Sequence, residues 1–146
     1  MLRSWILEVD EPQRPYAEVA ARIAARTAAE DPIFVWGAAP HLYQLARRPL
    51  GARFLFCQFL TGVSPGTRTA TGEVDAAPSV VREAWDMLFA DLEARRPRLF
   101  VDTAPADWDH YGQFPIARYP ALQRYVAAHY RPVETVAGVH LYERLP

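Results

Sequence analysis

The chain has 146 residues with 51% hydrophobic and 23% charged residues, which is the composition of one globular domain with one core and not of a disordered segment. A net charge of −1 gives no electrostatic basis for nucleic acid as a partner, and the 16 basic residues are all Arg, which excludes a Lys nucleophile and a phosphate-loop Lys. The single cysteine, Cys57, excludes an internal disulfide and a paired-cysteine zinc site.

No apolar run approaches the roughly 20 residues of a membrane span. The N-terminal apolar patch Trp5-Ile6-Leu7 is too short for a signal-peptide core. Residues 1–14 read as a connecting or poorly ordered segment ahead of a single α/β domain. Tyr16 to Glu30 then reads as a helix. Pro15 suits its first turn, Tyr16, Val19, Ala20, Ile23 and Thr27 recur at helical spacing, and Asp31-Pro32 ends it. Ile33 to Trp36 is short, apolar and β-branched or aromatic, the pattern of a strand buried on both faces.

Gly37 to Pro40 reads as a tight strand-to-helix turn, followed by a short helix from His41 to Arg47. Arg53 to Phe59, RFLFCQF, reads as a second buried strand, with Cys57 as a small core residue rather than a reactive thiol. Leu60 to Ala77 is rich in Thr, Ser and Gly and reads as a long loop, either a surface excursion or a binding lid. Pro78 to Arg95 is the clearest helix, with Val81, Ala84, Trp85, Leu88 and Leu92 as its apolar stripe. Trp85 and Phe89 sit at core spacing and read as core, not as a ligand platform.

Leu99 to Val101 is a third buried strand ending in Asp102-Thr103. A polar and aromatic loop follows, then a helix over about Ile116 to Tyr130, interrupted or started afresh at Tyr119-Pro120. A hairpin of Pro132–Val136 and Val139–Arg144 turns at Ala137-Gly138. The alternation of helices and strands predicts a three-layer, Rossmann-like α/β domain, with a mostly parallel sheet and a C-terminal antiparallel hairpin at one edge.

Ligands of open α/β sheets sit outside the carboxyl ends of the strands. That rule selects Trp36, Gly37, His41, Thr61, Asp102 and Thr103 as candidate ligand-binding residues; separately, Arg47, Arg48 and Arg53 bracket a loop near the second strand and form a candidate phosphate-binding group. His41 and Asp102 could form an acid–base pair across adjacent strand ends. The alternative is that His41 packs or caps its short helix and Asp102 accepts hydrogen bonds from the following turn. The arginines could equally form a solvated corner near a helix C-terminus. The first strand is followed by GAAP, not a glycine-rich dinucleotide fingerprint, and no serine stands in a nucleophile-elbow context. Asp107, Asp109 and His110 read as solvated turn residues rather than a metal cluster. The residues display no catalytic group, metal site or cofactor.

The order DPIFVWGAAPHLYQLARRPLGARFLF, DLEARRPRLFVDTAP and PIARYPALQRYVAAHYRPVETVAGVHLYERLP resembles the C-terminal soluble region of bacterial polytopic membrane glycosyltransferases. These use polyprenyl-phosphate-linked sugars and are similar to the protein mannosyltransferases and aminoarabinose transferases. The residues that carry the likeness are Trp36-Gly37, Tyr43, Arg48-Pro49, Arg53-Phe54, Pro97, Val101-Asp102, Tyr130, Val133 and Tyr142-Glu143-Arg144. The resemblance implies a non-catalytic, extracytoplasmic accessory domain. Its partner would be the membrane-embedded part of the same polypeptide, and it would assist an acceptor or a polyprenyl-phosphate-sugar donor. The catalytic carboxylates of that family lie in its membrane part, so none is carried over. Two other functions fit the residues: a small soluble nucleotide- or sugar-nucleotide-binding enzyme using the strand-end crevice, and a protein-interaction module.

Overall fold

A computed structural model describes residues 11–63 and 81–146. The expected connecting segment therefore falls mostly, and the Leu60 to Ala77 loop from Ser64 onward, outside the described residues.

Helix α1, Arg14–Arg26, starts with Pro15 in its first turn and buries Val19, Ala20 and Ile23. It ends earlier than its alanine content suggests. The Thr27 hydroxyl donates back to the Ile23 carbonyl at 2.6 Å, and the Ala28 N–H is taken by the Asp31 carboxylate at 2.8 Å, so the chain turns before the proline. Strand β1, Ile33–Trp36, is buried throughout. Helix α2, His41–Ala46, stops at Arg47 in a left-handed conformation.

The expected strand over Arg53 to Phe59 does not form. Leu50 makes a single parallel bridge to Ile33, after which the chain bends and closes into α3, Gln58–Thr61. The pattern of burial explains why. Phe54, Cys57 and Leu60 are buried while Leu55 and Phe59 are exposed, a period of three that a strand covered on both faces cannot satisfy. The Arg53 N–H also donates to the Asp91 carboxylate at 2.8 Å instead of to a neighbouring strand.

Helix α4, Arg82–Arg95, buries Ala84, Leu88, Asp91 and Leu92, and Arg96 terminates it with a left-handed backbone before Pro97. Val81, expected in the stripe, is exposed. Strand β2, Leu99–Asp102, runs parallel to β1. Three 3-10 turns follow, Ala104–Ala106, Trp108–Gln113 and Ile116–Arg118, so the last helix starts only at Pro120 and forms α5, Pro120–His129. Strands β3, Tyr130–Val136, and β4, Val139–Arg144, form the hairpin, with Ala137 and Gly138 both at positive φ as a tight hairpin turn requires.

Among the described residues the sheet is four-stranded and mixed, in the order β1-β2-β4-β3. Only β1 and β2 are parallel; β2–β4 and β4–β3 are antiparallel. The expectation of a mostly parallel sheet fails for two reasons. The second candidate strand is not a strand, and β4 inserts beside β2, carrying Val139 and Leu141 into the core. Alternation along the strands divides the core. Ile33, Val35, Leu99, Val101, Val139 and Leu141 pack with residues of α1 and α2. Phe34, Trp36 and Phe100 pack with residues of α3, α4 and α5. Among the described residues no helix is long and apolar enough to cross a membrane.

Candidate ligand-binding groove

The carboxyl ends of β1 and β2 approach each other closely. Gly37 has φ +144°, and a Cβ there would lie 1.9 Å from Thr103 Oγ1. The Thr103 hydroxyl donates to the Trp36 carbonyl at 2.8 Å. The Trp36 indole N–H donates to the Phe114 carbonyl at 2.9 Å, and its ring packs edge-on against Tyr119 at 5.3 Å. Thr61 is buried, with its hydroxyl oxygen accepting the Val63 N–H at 3.3 Å. Trp36, Gly37, Thr61 and Thr103 thus hold this edge together from the inside. Cys57 lies in the same interior, where burial pushes its thiol up to about 12.

His41 and Asp102 are not brought together. The His41 ring stands edge-on to Tyr16 at 4.2 Å, and Tyr16 in turn meets Trp108 at 4.4 Å, on the α1–α2 side of the sheet. Burial lowers the pKa of His41, with the Asp109 charge opposing. Its Nε2 is buried without a hydrogen-bond partner among the described residues.

The three arginines serve separate ends of the fold. Arg48 donates from Nε to the Thr27 hydroxyl at 2.7 Å, and from its two Nη atoms to the Ala46 and Thr27 carbonyls, each at 2.9 Å. Those carbonyls lie at helix C-termini, where a cation is favoured. Arg53 binds both oxygens of Asp91, each at 2.9 Å. Arg47 is exposed at the end of α2. In the loop after β2, Asp107, Asp109 and His110 are exposed at positive φ, and Asp107 accepts the Gly112 N–H at 2.9 Å. Among the described residues, no group of three or more potential metal ligands converges.

Asp102 belongs to a different site. It ends β2 on the same face as Phe100, away from His41. The β2–β4 register sets His140 directly opposite Asp102, and Tyr142 opposite Phe100. Directly opposed antiparallel residues have Cβ atoms about 5 Å apart. Helix α5 and the Ile116 turn close over this part of the sheet and leave a groove of about 500 Å³, lined by Asp102, His140, Tyr142 and Gln123 with apolar walls from Ile116 and Val126. That size is in the range of small-molecule sites.

Asp102 is only 4% exposed. Among the described residues, the single hydrogen bond to its carboxylate comes from the Ala104 N–H at 3.0 Å. Burial pushes its pKa up to about 6, the Ala104 bond opposing. Burial and then the Asp102 charge raise the pKa of Tyr142. The Tyr130 hydroxyl, at the groove's edge, is already engaged: it donates to the Pro97 carbonyl at 2.8 Å and accepts from Arg144 at 3.3 Å. Asp102, His140, Tyr142 and Gln123 are the groups left to face a ligand. The alternation Val139-His140-Leu141-Tyr142 does put His140 and Tyr142 on one face of a strand. Nothing in the sequence says that β4 lies beside β2.

Comparison of the chain with protein-family models, with curated proteins and with solved structures finds no match.

Proposed function

We propose that this chain is the non-catalytic accessory domain of a polyprenyl-phosphate-sugar-dependent membrane glycosyltransferase, Rossmann-like in its layering. It would sit on the extracytoplasmic face, tethered through the membrane-embedded part of the same polypeptide, and assist an acceptor or lipid-linked donor. The observation that carries the reading is the groove. Asp102, Tyr130 and Tyr142, three of the residues that carry the family likeness, line it together with His140. A preformed, apolar-walled groove with a few polar groups is suited to holding a ligand.

The purified domain is expected to transfer no sugar, and measurable transfer would sink the proposal. The decisive test is the native size and location of the gene product, read with an antibody to this chain in fractionated cells. A band much larger than 16.5 kDa in the membrane fraction supports the reading, and a soluble band at that mass overturns it.

One observation favours a second reading, a small soluble enzyme acting on a nucleotide or sugar nucleotide. Asp102 faces His140 across two strands and has a carboxyl pKa of about 6, which suits a proton donor near neutrality. Thermal shift against nucleotides, sugar nucleotides and S-adenosylmethionine tests it; no shift across the panel counts against it.

A further inference from the structure

We infer that the Asp102 groove binds a hydroxyl-rich ring of pyranose size, with adjacent hydroxyls donating to the Asp102 carboxylate. The inference deepens the functional proposal at the same groove, and it depends on that proposal only for the identity of the site. Asp102 is more than nine-tenths buried, yet among the described residues its carboxylate meets a single donor, the Ala104 N–H, so acceptor capacity is left open toward the groove. The carboxylate's remaining acceptor capacity opens on the groove, where water or a ligand can answer it.

The other polar groups decide which ligand fits. Gln123 and His140 offer donors as well as acceptors, and Tyr142 offers a hydroxyl. An ammonium group would satisfy Asp102 but could only donate, leaving the donors of Gln123 and His140 without a partner. A phosphate or carboxylate would be repelled by Asp102, and among the described residues no Lys or Arg lines the groove to offset that charge, which also counts against the nucleotide reading. A polyol both donates and accepts, and so can answer all of these groups. Its C–H face suits the apolar and aromatic wall formed by Ile116, Val126 and Tyr142.

The test is a titration of the whole chain, followed by amide and side-chain NMR. The probes are myo-inositol, methyl glycopyranosides with equatorial or axial neighbouring hydroxyls, and cyclohexylammonium as a cationic ring of similar size. The expected result is millimolar binding of at least one polyol, with shifts at Ala104, His140 and Tyr142. Asp102→Asn should lower that affinity about tenfold or more, because it replaces bonds to a charged acceptor by bonds to a neutral one. Tyr142→Ala should also weaken binding while leaving the amide spectrum of α1 and α2 unchanged. Binding of cyclohexylammonium but of no polyol overturns the inference, as does binding of nothing in the panel. Either failure leaves the membrane-fraction result standing. Conversely, polyol binding by a protein found only as a soluble 16.5 kDa chain would sink the glycosyltransferase reading and keep the site.

Discussion

Two buried aspartates show how this fold treats its charges. Asp91 on α4 is 6% exposed and Asp102 on β2 is 4% exposed, so burial alone does not distinguish them. Asp91 receives the Arg53 backbone N–H at 2.8 Å and its guanidinium at 2.9 Å on each oxygen, and these bonds hold its carboxyl below the ordinary range. Asp102 has the Ala104 N–H alone, and its carboxyl is pushed the other way. The first carboxylate is completed by the protein and ties the loop after α2 to α4. The second keeps acceptor capacity open toward the groove. A buried carboxylate with one short-range hydrogen bond and no ion pair among the described residues, lining a groove, is a candidate functional residue.

The largest effect is expected at Gly37, where the end of β1 closes against Thr103. Gly37→Ala places a methyl group against Thr103 at a φ of +144°, and a loss of about 3 kcal/mol or more in urea unfolding is expected. Next comes Asp91→Ala. It leaves the Arg53 N–H without its acceptor and should cost about 2 kcal/mol, most of it from the buried side of the contact because the Arg53 side chain is half exposed and screened.

Asp102→Asn should have the opposite sign. The Asp102 pKa rises from 3.8 to about 6 on folding, so the folded protein binds more protons than the unfolded chain between those values. The penalty is absent below the lower value, grows through the interval and is complete above the upper one. At about pH 8 the asparagine variant should be more stable by up to about 3 kcal/mol; at about pH 3.5 it should match the wild type. A destabilised Asp102→Asn at about pH 8 would mean that Asp102 is as structural as Asp91. The smallest effect is expected at Arg47→Ala, within about 0.5 kcal/mol of wild type, since its side chain is exposed at the end of α2.

What could be read in advance follows from how local each signal is. Ile33 to Trp36, the α4 stripe at Ala84 and Leu88, and the Ala137-Gly138 turn are encoded by neighbours in sequence, and they stand where periodicity and turn chemistry put them. Arg53 to Phe59 misled because an aromatic-rich run is compatible with either an extended or a wrapped path. The choice was made by Asp91, 38 residues away. The candidate site was legible only through Asp102. The strand-end rule also selected Trp36, Gly37 and Thr103, which pack into the interior rather than line the groove. His140 and Tyr142 entered the site through the pairing of β4 with β2, a long-range contact that hydrophobic patterning does not specify.

The account rests on Asp102 being an unpaired, buried carboxylate that a ligand completes, and a ¹³C NMR titration of its side-chain carboxyl reads that state directly. The predicted midpoint in the free protein is about 6. Saturating myo-inositol or a binding methyl glycopyranoside should lower it, because hydroxyl donors favour the ionised form. A midpoint near the ordinary 3.8 in the free protein, or one that no polyol moves, would contradict the account.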